Sequence, residues 1–161
     1  MTDYGREPAP STRVFTTRDR LITPARLYAT YTIGHGDAHV WNLLYPRDGA
    51  PGAGIRLIDW DNWRIGRAAA DLAYMMAVHW YPERRVRLEA RLLERYHAGL
   101  RAHGIADYSL ERLREDYRLS VIGHLAIPIW QQTLGIHPAI WWPHLHRTIA
   151  AFEDLDCAAL L

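Results

Sequence analysis

The clearest pattern of apolar and polar positions runs from Tyr31 to Asp61, where two short apolar runs flank a turn-rich loop. Leu43 to Tyr45 enters a turn at Pro46-Arg47-Asp48-Gly49, and Ile55 to Ile58 brings the chain back to Asp59-Trp60-Asp61. That pattern predicts a β-hairpin, with Gly49, Gly52 and Gly54 as turn residues, whose far ends come together. Asn42 stands just before the first strand and Asp59 just after the second, while Asp37 lies on the loop that feeds the first. The hairpin therefore gathers two acids and an amide at its open end.

From Ala68 onward the apolar spacing becomes helical. Leu72, Ala73, Met76 and Trp80 share one face, and Leu88, Leu92, Tyr96 and Leu100 form a stripe on a second helix that starts at Pro82-Glu83 and stops at Gly104. Ser109 caps a third helix, expected from Leu110 to about Leu134 with a kink or break at Pro128. A last helix is expected after Pro143, with Leu145, Ile149 and Phe152 facing inward, and the Arg/Glu runs read as solvated faces with i,i+4 pairing. Before the hairpin the pattern weakens. Residues 1–24 read as a tail or linker, with a short helix over 18–31 interrupted at Pro24, and residues 25–161 as one lobe. The resulting fold class is α+β, mostly α: one β-hairpin carrying a polar loop, packed on a helical bundle.

Composition narrows the function. A chain of 161 residues, 49% apolar, suits one domain with a real core. A net charge of +1 gives no reason to expect nucleic acid or a membrane surface as partner. All 19 basic residues are Arg, so the glycines of the turn cannot serve a phosphate loop, which needs a Lys and a following helix. The single Cys157 makes neither an internal disulfide nor a thiol metal cluster. No apolar leader region or membrane-length apolar run is visible, and the expected location is cytoplasmic.

One Asp in a loop is ordinarily a cap or a turn former. The joint pattern says more: Asp37, Asn42 five residues on, an apolar strand pair, then Asp59. Phosphoryl transfer asks little of a protein beyond positioning and charge neutralisation. One carboxylate orients the acceptor hydroxyl, while an amide oxygen and a second carboxylate hold magnesium against nucleotide phosphates. Asp37, Asn42 and Asp59 supply that set in order. The alternation His35-x-Asp37-x-His39 also invites a zinc hydrolase reading, which leaves Asn42 and Asp59 without a role.

His35-Gly36-Asp37-x-His39-x-x-Asn42, followed by Leu57-Ile58-Asp59-Trp60-Asp61, Gly66 and Asp71-Leu72-Ala73, resembles the C-terminal lobe of the aminoglycoside phosphotransferase and choline kinase family. These enzymes are small-molecule relatives of the protein kinases. The resemblance implies the C-terminal lobe of a protein-kinase-like fold, with ATP or another nucleoside triphosphate and Mg2+ as cofactors and a hydroxyl-bearing small molecule as acceptor. It implies that Asp37 is catalytic and that Asn42 and Asp59 hold magnesium. Asp61 would assist through water, His35 and His39 would support the loop, and Asp71 would brace the loop backbone.

A complete enzyme of that family also has an N-terminal lobe with a phosphate-pairing Lys, and this chain contains no Lys. The expectation is a C-lobe whose N-lobe is missing or supplied separately, weakly active or inactive alone. The alternative is a non-catalytic remnant or partner module. For the acceptor, Trp130, Trp141 and Trp142 with His137, His144 and His146 read either as a quaternary-ammonium cage or as core or covered surface. Glu153, Asp154 and Asp156 read as a carboxylate cluster for a polycation or as the end of a helix.

Overall fold

The computed structural model describes residues 30–47 and 54–161. The expected tail, most of the helix over 18–31, and the turn residues Gly49 and Gly52 lie outside the described residues; Tyr31, the last residue of that expected helix, is in a strand. The architecture is mostly helical, with two small antiparallel strand pairs packed on the helices. Strands β2 (Leu43–Leu44) and β3 (Arg56–Leu57) form the expected hairpin, Leu43 opposite Leu57. The single hairpin expected from the sequence is nevertheless an undercount. Strands β1 (Tyr31–Gly34) and β4 (Arg64–Arg67) make a second ladder, with Ile33 opposite Ile65. These two side chains are 64% and 68% exposed, so no half-buried alternation announced the pair.

Helix α1 (Ala69–Ala73) passes directly into a π-helical turn over Tyr74–Val78 that buries Tyr74, Met76, Ala77 and Val78. Helix α2 (Pro82–Ala102) begins with its proline in the first turn, as the sequence predicted. It ends at Gly104, whose φ of 89° suits a left-handed stop: Gly104 N donates to Arg101 O and Ile105 N to Leu100 O. Ser109 caps α3 (Leu110–His124), its Oγ accepting from Arg112 N at 3.1 Å. The break expected near Pro128 falls at Leu125, and α4 (Ala126–Thr133) follows. Pro128 lacks the N–H that would bond His124 O, so the helix parts between them.

Helix α5 runs from Pro138 to Asp154, so that it begins five residues before Pro143 and not after it as expected. His137 Nδ1 caps it by accepting from Ala139 N, and Pro143 is carried inside the helix. Its buried face is His144, Thr148 and Ala151; Ile149, expected inward, is exposed. The core joins Ala69, Ala73 and Met76 to Leu93, Leu113, Tyr117, Val121, Ala151 and Cys157, and the stripe of α2 packs half-buried around it. One charge run is not a solvated face. Arg85 is 1% exposed, pairs with Glu89 at 3.0 Å and with Asp154, and Glu89 accepts Tyr117 Oη at 3.0 Å. That network ties α2, α3 and α5 together. Asp154 is thereby committed, and the acidic C-terminal cluster is the end of a helix.

Candidate active site

The loop between β1 and β2 is held by backbone-directed polar bonds. Asp71, in the first turn of α1, accepts from His35 N at 2.6 Å and from Gly36 N at 2.9 Å, one with each carboxylate oxygen. Gly36 has φ +83°, and a Cβ there would lie 2.1 Å from Asn62 O, so only glycine fits. His35 is buried. Its Nε2 meets Ile58 O at 2.8 Å, its Nδ1 accepts from Asp37 N at 3.3 Å, and its ring meets Trp60 edge-on. Both ring nitrogens are engaged with backbone, which removes His35 as a zinc ligand, and no group of three or more His, Cys, Asp or Glu suited to a metal occurs among the described residues.

Asn42 closes the loop. Its Nδ2 donates to Asp37 O at 3.0 Å and to Asp37 Oδ2 at 3.2 Å, while Asn42 O accepts from Ile58 N at 2.9 Å. The latter bond carries the hairpin past its last ladder pair, and Asp59 is the residue that follows it. Asp59 has left-handed geometry, φ 64° and ψ 62°, and is exposed at the start of a 3-10 turn that also holds Asp61. A non-glycine residue in that region carries local strain, and such strain collects at functional sites. His39 Nε2 lies 3.4 Å from Asp37 Oδ2. Asp37, Asn42 and His39 are thus in contact, Asp71 braces the backbone beneath them, and Asp61 lies in the 3-10 turn that follows Asp59.

Tyr74, His79 and Arg147, which the sequence did not single out, complete the surroundings of Asp37 together with His144, which the sequence named only as part of the acceptor stretch. Tyr74 is buried and hydrogen-bonds Asp37; burial first, then that bond and the carboxylate's charge, push its phenol well above the ordinary range. His79 is pushed down to about 3, by burial first and then by His144 and His39, whose rings lie 4.7 and 5.0 Å from its own. His144 is also lowered, by burial and then Arg147, and its Nδ1 is 3.0 Å from Gln131 Oε1. The signal for Tyr74 was its place one turn after Asp71; His144 was named within the aromatic C-terminal stretch, and His79, which meets it across the helical half, has no local signal.

Two cavities open on either side of Asp37, Tyr74 and Gln131, which line both. One, of about 530 Å³, is walled by His39, Trp41, His79, His144 and Arg147. The other, of about 480 Å³, is walled by Gly36, Asn62, Arg64, His124 and Trp130. Trp141 and Trp142 pack edge-on against each other and line neither cavity. The aromatic stretch therefore does not close as one cage around Asp37.

A family model, that of the phosphotransferase enzyme family, matches residues 8–108. The chain belongs to that family. No curated protein and no solved structure matches it significantly. No helix among the described residues is long and apolar enough to cross a membrane.

Proposed function

We propose that this chain is the C-lobe of a kinase-like phosphotransferase that moves a phosphoryl group from a magnesium-bound nucleoside triphosphate, ATP in the first instance, to a small-molecule hydroxyl. The observation that carries the reading is the bond pair at Asn42, which joins the Asp37 loop by its side chain and the Asp59 strand end by its carbonyl. Asp37, half-buried between Asn42, His39 and Tyr74, would orient the acceptor hydroxyl and take its proton. Asn42 turns its nitrogen to Asp37, which leaves the amide oxygen as its metal-facing end. With the exposed Asp59 carboxylate this makes an oxygen donor set that fits magnesium, an ion that draws its remaining ligands from water and phosphate. Bound there, magnesium would supply charge neutralisation to the phosphates.

A second reading, a non-catalytic module, is favoured by one observation: none of the 19 basic residues is Lys. Arg does not reproduce the compact ammonium that pairs phosphates in kinase-like enzymes, so a lysine from a separate N-lobe is part of the proposal. A calorimetric titration with ATP, with and without magnesium, decides between the two. The phosphotransferase reading expects magnesium-dependent binding that weakens at least about tenfold in Asp59→Ala. Binding that ignores both magnesium and Asp59, or no heat at millimolar nucleotide, would leave the non-catalytic module.

A further inference from the structure

The larger cavity beside Asp37 has an unusual charge balance. Asp37 is its one carboxylate; Arg147 is its fixed cation, and the rest of its polar wall is Gln131, Tyr74 and the histidines. Burial holds His79 and His144 below their ordinary range, so at neutral pH they act as uncharged hydrogen-bonding groups. Arg147 donates to His79 O at 3.2 Å and stacks over Tyr81 at 4.5 Å, which fixes its guanidinium at the cavity wall. Among the described residues it makes no ion pair with a carboxylate. A guanidinium held in place without a carboxylate partner is a ready anion site. The second cavity repeats the balance, with Arg64 as its cation and Asp37 again its one carboxylate.

A polycationic acceptor needs the opposite lining. An ammonium group placed here would meet Arg147 with no carboxylate to offset it except the one already assigned to the reacting hydroxyl. Gln131, His144 and Arg147 lie outside the segment that the family model matches, whereas Asp37, His39 and His79 lie inside it.

We propose that the cavity takes a hydroxy acid, a compact anionic molecule with several hydroxyls, whose acidic group meets Arg147 while one hydroxyl faces Asp37. The proposal rests on the reading of Asp37 as the residue that faces the acceptor hydroxyl. Trp41, 75% exposed at the cavity, gives its carbon chain an apolar wall.

Three linear polyols of matched skeleton test the charge preference without any nucleotide: gluconate (anionic), sorbitol (neutral) and N-methylglucamine (cationic). Each is titrated into the full chain at neutral pH and followed by heteronuclear NMR. Gluconate should bind at least about fivefold tighter than sorbitol, and N-methylglucamine weakest. Arg147→Gln should erase the preference and Arg64→Gln should keep it, with both melts checked. Equal affinities, tighter binding of N-methylglucamine, no binding of any of the three, or loss of preference only in Arg64→Gln would overturn the assignment. Should Arg147→Gln unfold, the ranking on the unaltered chain still decides. Magnesium-ATP binding is read separately: if it persists while the gluconate preference fails, only the acceptor class falls. If the gluconate preference holds while magnesium-ATP binding fails, the phosphotransfer reading falls alone.

Discussion

The two halves of the molecule are held together by different physics. In residues 30–47 and 54–67 the order comes from a few directed bonds: Asp71 to two loop amides, Asn42 to Asp37, His35 to Ile58. Apolar burial contributes little there, and Ile33, Trp41, Trp63 and Ile65 are all exposed. In the helical half the order comes from a packed core with buried charges matched inside it. Asp116, for example, is fully buried, accepts Tyr108 Oη at 2.9 Å and pairs with Arg112. Burial is roughly additive and forgiving, whereas a directed bond either exists or does not. Stability should therefore reside in the helices and the geometry of the site in a handful of hydrogen bonds.

The largest expected effect tests the helical side. Arg85→Ala leaves Glu89 with Tyr117 as its one partner among the described residues and opens a gap where α2 meets α5. Breaking a buried pair this way costs about 3–5 kcal/mol, a drop in Tm on the order of 10 °C for a chain of this size. Magnesium-nucleotide affinity, measured well below that melt, should stay within about twofold. Arg85→Met should recover part of the loss, because its apolar side chain fills the gap while Glu89 is left without this cation just as in the alanine variant. A melt that barely moves would mean that the network is ornamental.

Asp71→Asn tests the loop side and should show the reverse profile. The amide keeps one acceptor for His35 N or Gly36 N and turns an N–H toward the other, at a cost of about 1–3 kcal/mol. Most of that cost should appear as local opening. Hydrogen exchange at the His35 and Gly36 amides should speed up by about tenfold or more, nucleotide binding should weaken, and Tm should fall by only a few degrees. A fall as large as that of Arg85→Ala would erase the proposed division between the halves.

The same contrast explains what was legible in the sequence. The hairpin, the Asp37–Asn42 loop, the Ser109 cap and the Gly104 stop are written in local spacing and turn chemistry, and each sits where the pattern put it. The β1–β4 ladder was not legible, because both of its central isoleucines face outward and strand pairing across thirty-odd residues leaves no periodic trace. Helix α5 was misplaced because Pro143 looked like a start, when His137-Pro138 supplies the cap and first turn. Arg85 looked like one more charge on a solvated face; its burial depends on Asp154, sixty-nine residues away. Of the site, the acids and His39 came from local motif and His144 from the aromatic C-terminal stretch, whereas His79 and Arg147 are placed by tertiary packing alone.

The smallest effect lies on the seam where the halves meet. His79 belongs to the helical half, and its ring meets His39 of the loop on one side and His144 of α5 on the other. Folding lowers its pKa from 6.5 to about 3, chiefly by burial, with Asp37 opposing the shift and Arg147 reinforcing it. Between those values the unfolded chain binds a proton that the folded chain refuses, so stability rises with pH across that window. The contribution is intact above 6.5 and is lost progressively as pH falls from 6.5 toward 3. His144 and His124, lowered in the same direction, steepen the slope, and carboxylates titrate in the same range. The His79 share is therefore read as a difference: Tm of the unaltered chain and of His79→Phe, each followed down through the window. The variant should lose less Tm on acidification, by an amount corresponding to about 1 kcal/mol after solvent screening. Parallel curves would mean that water reaches the ring, and that the loop half and the helical half touch at this seam without excluding solvent. A clear divergence would mean that the seam is dry, and that the polar loop, for all its directed bonds, also leans on the helical half through the His39–His79 contact.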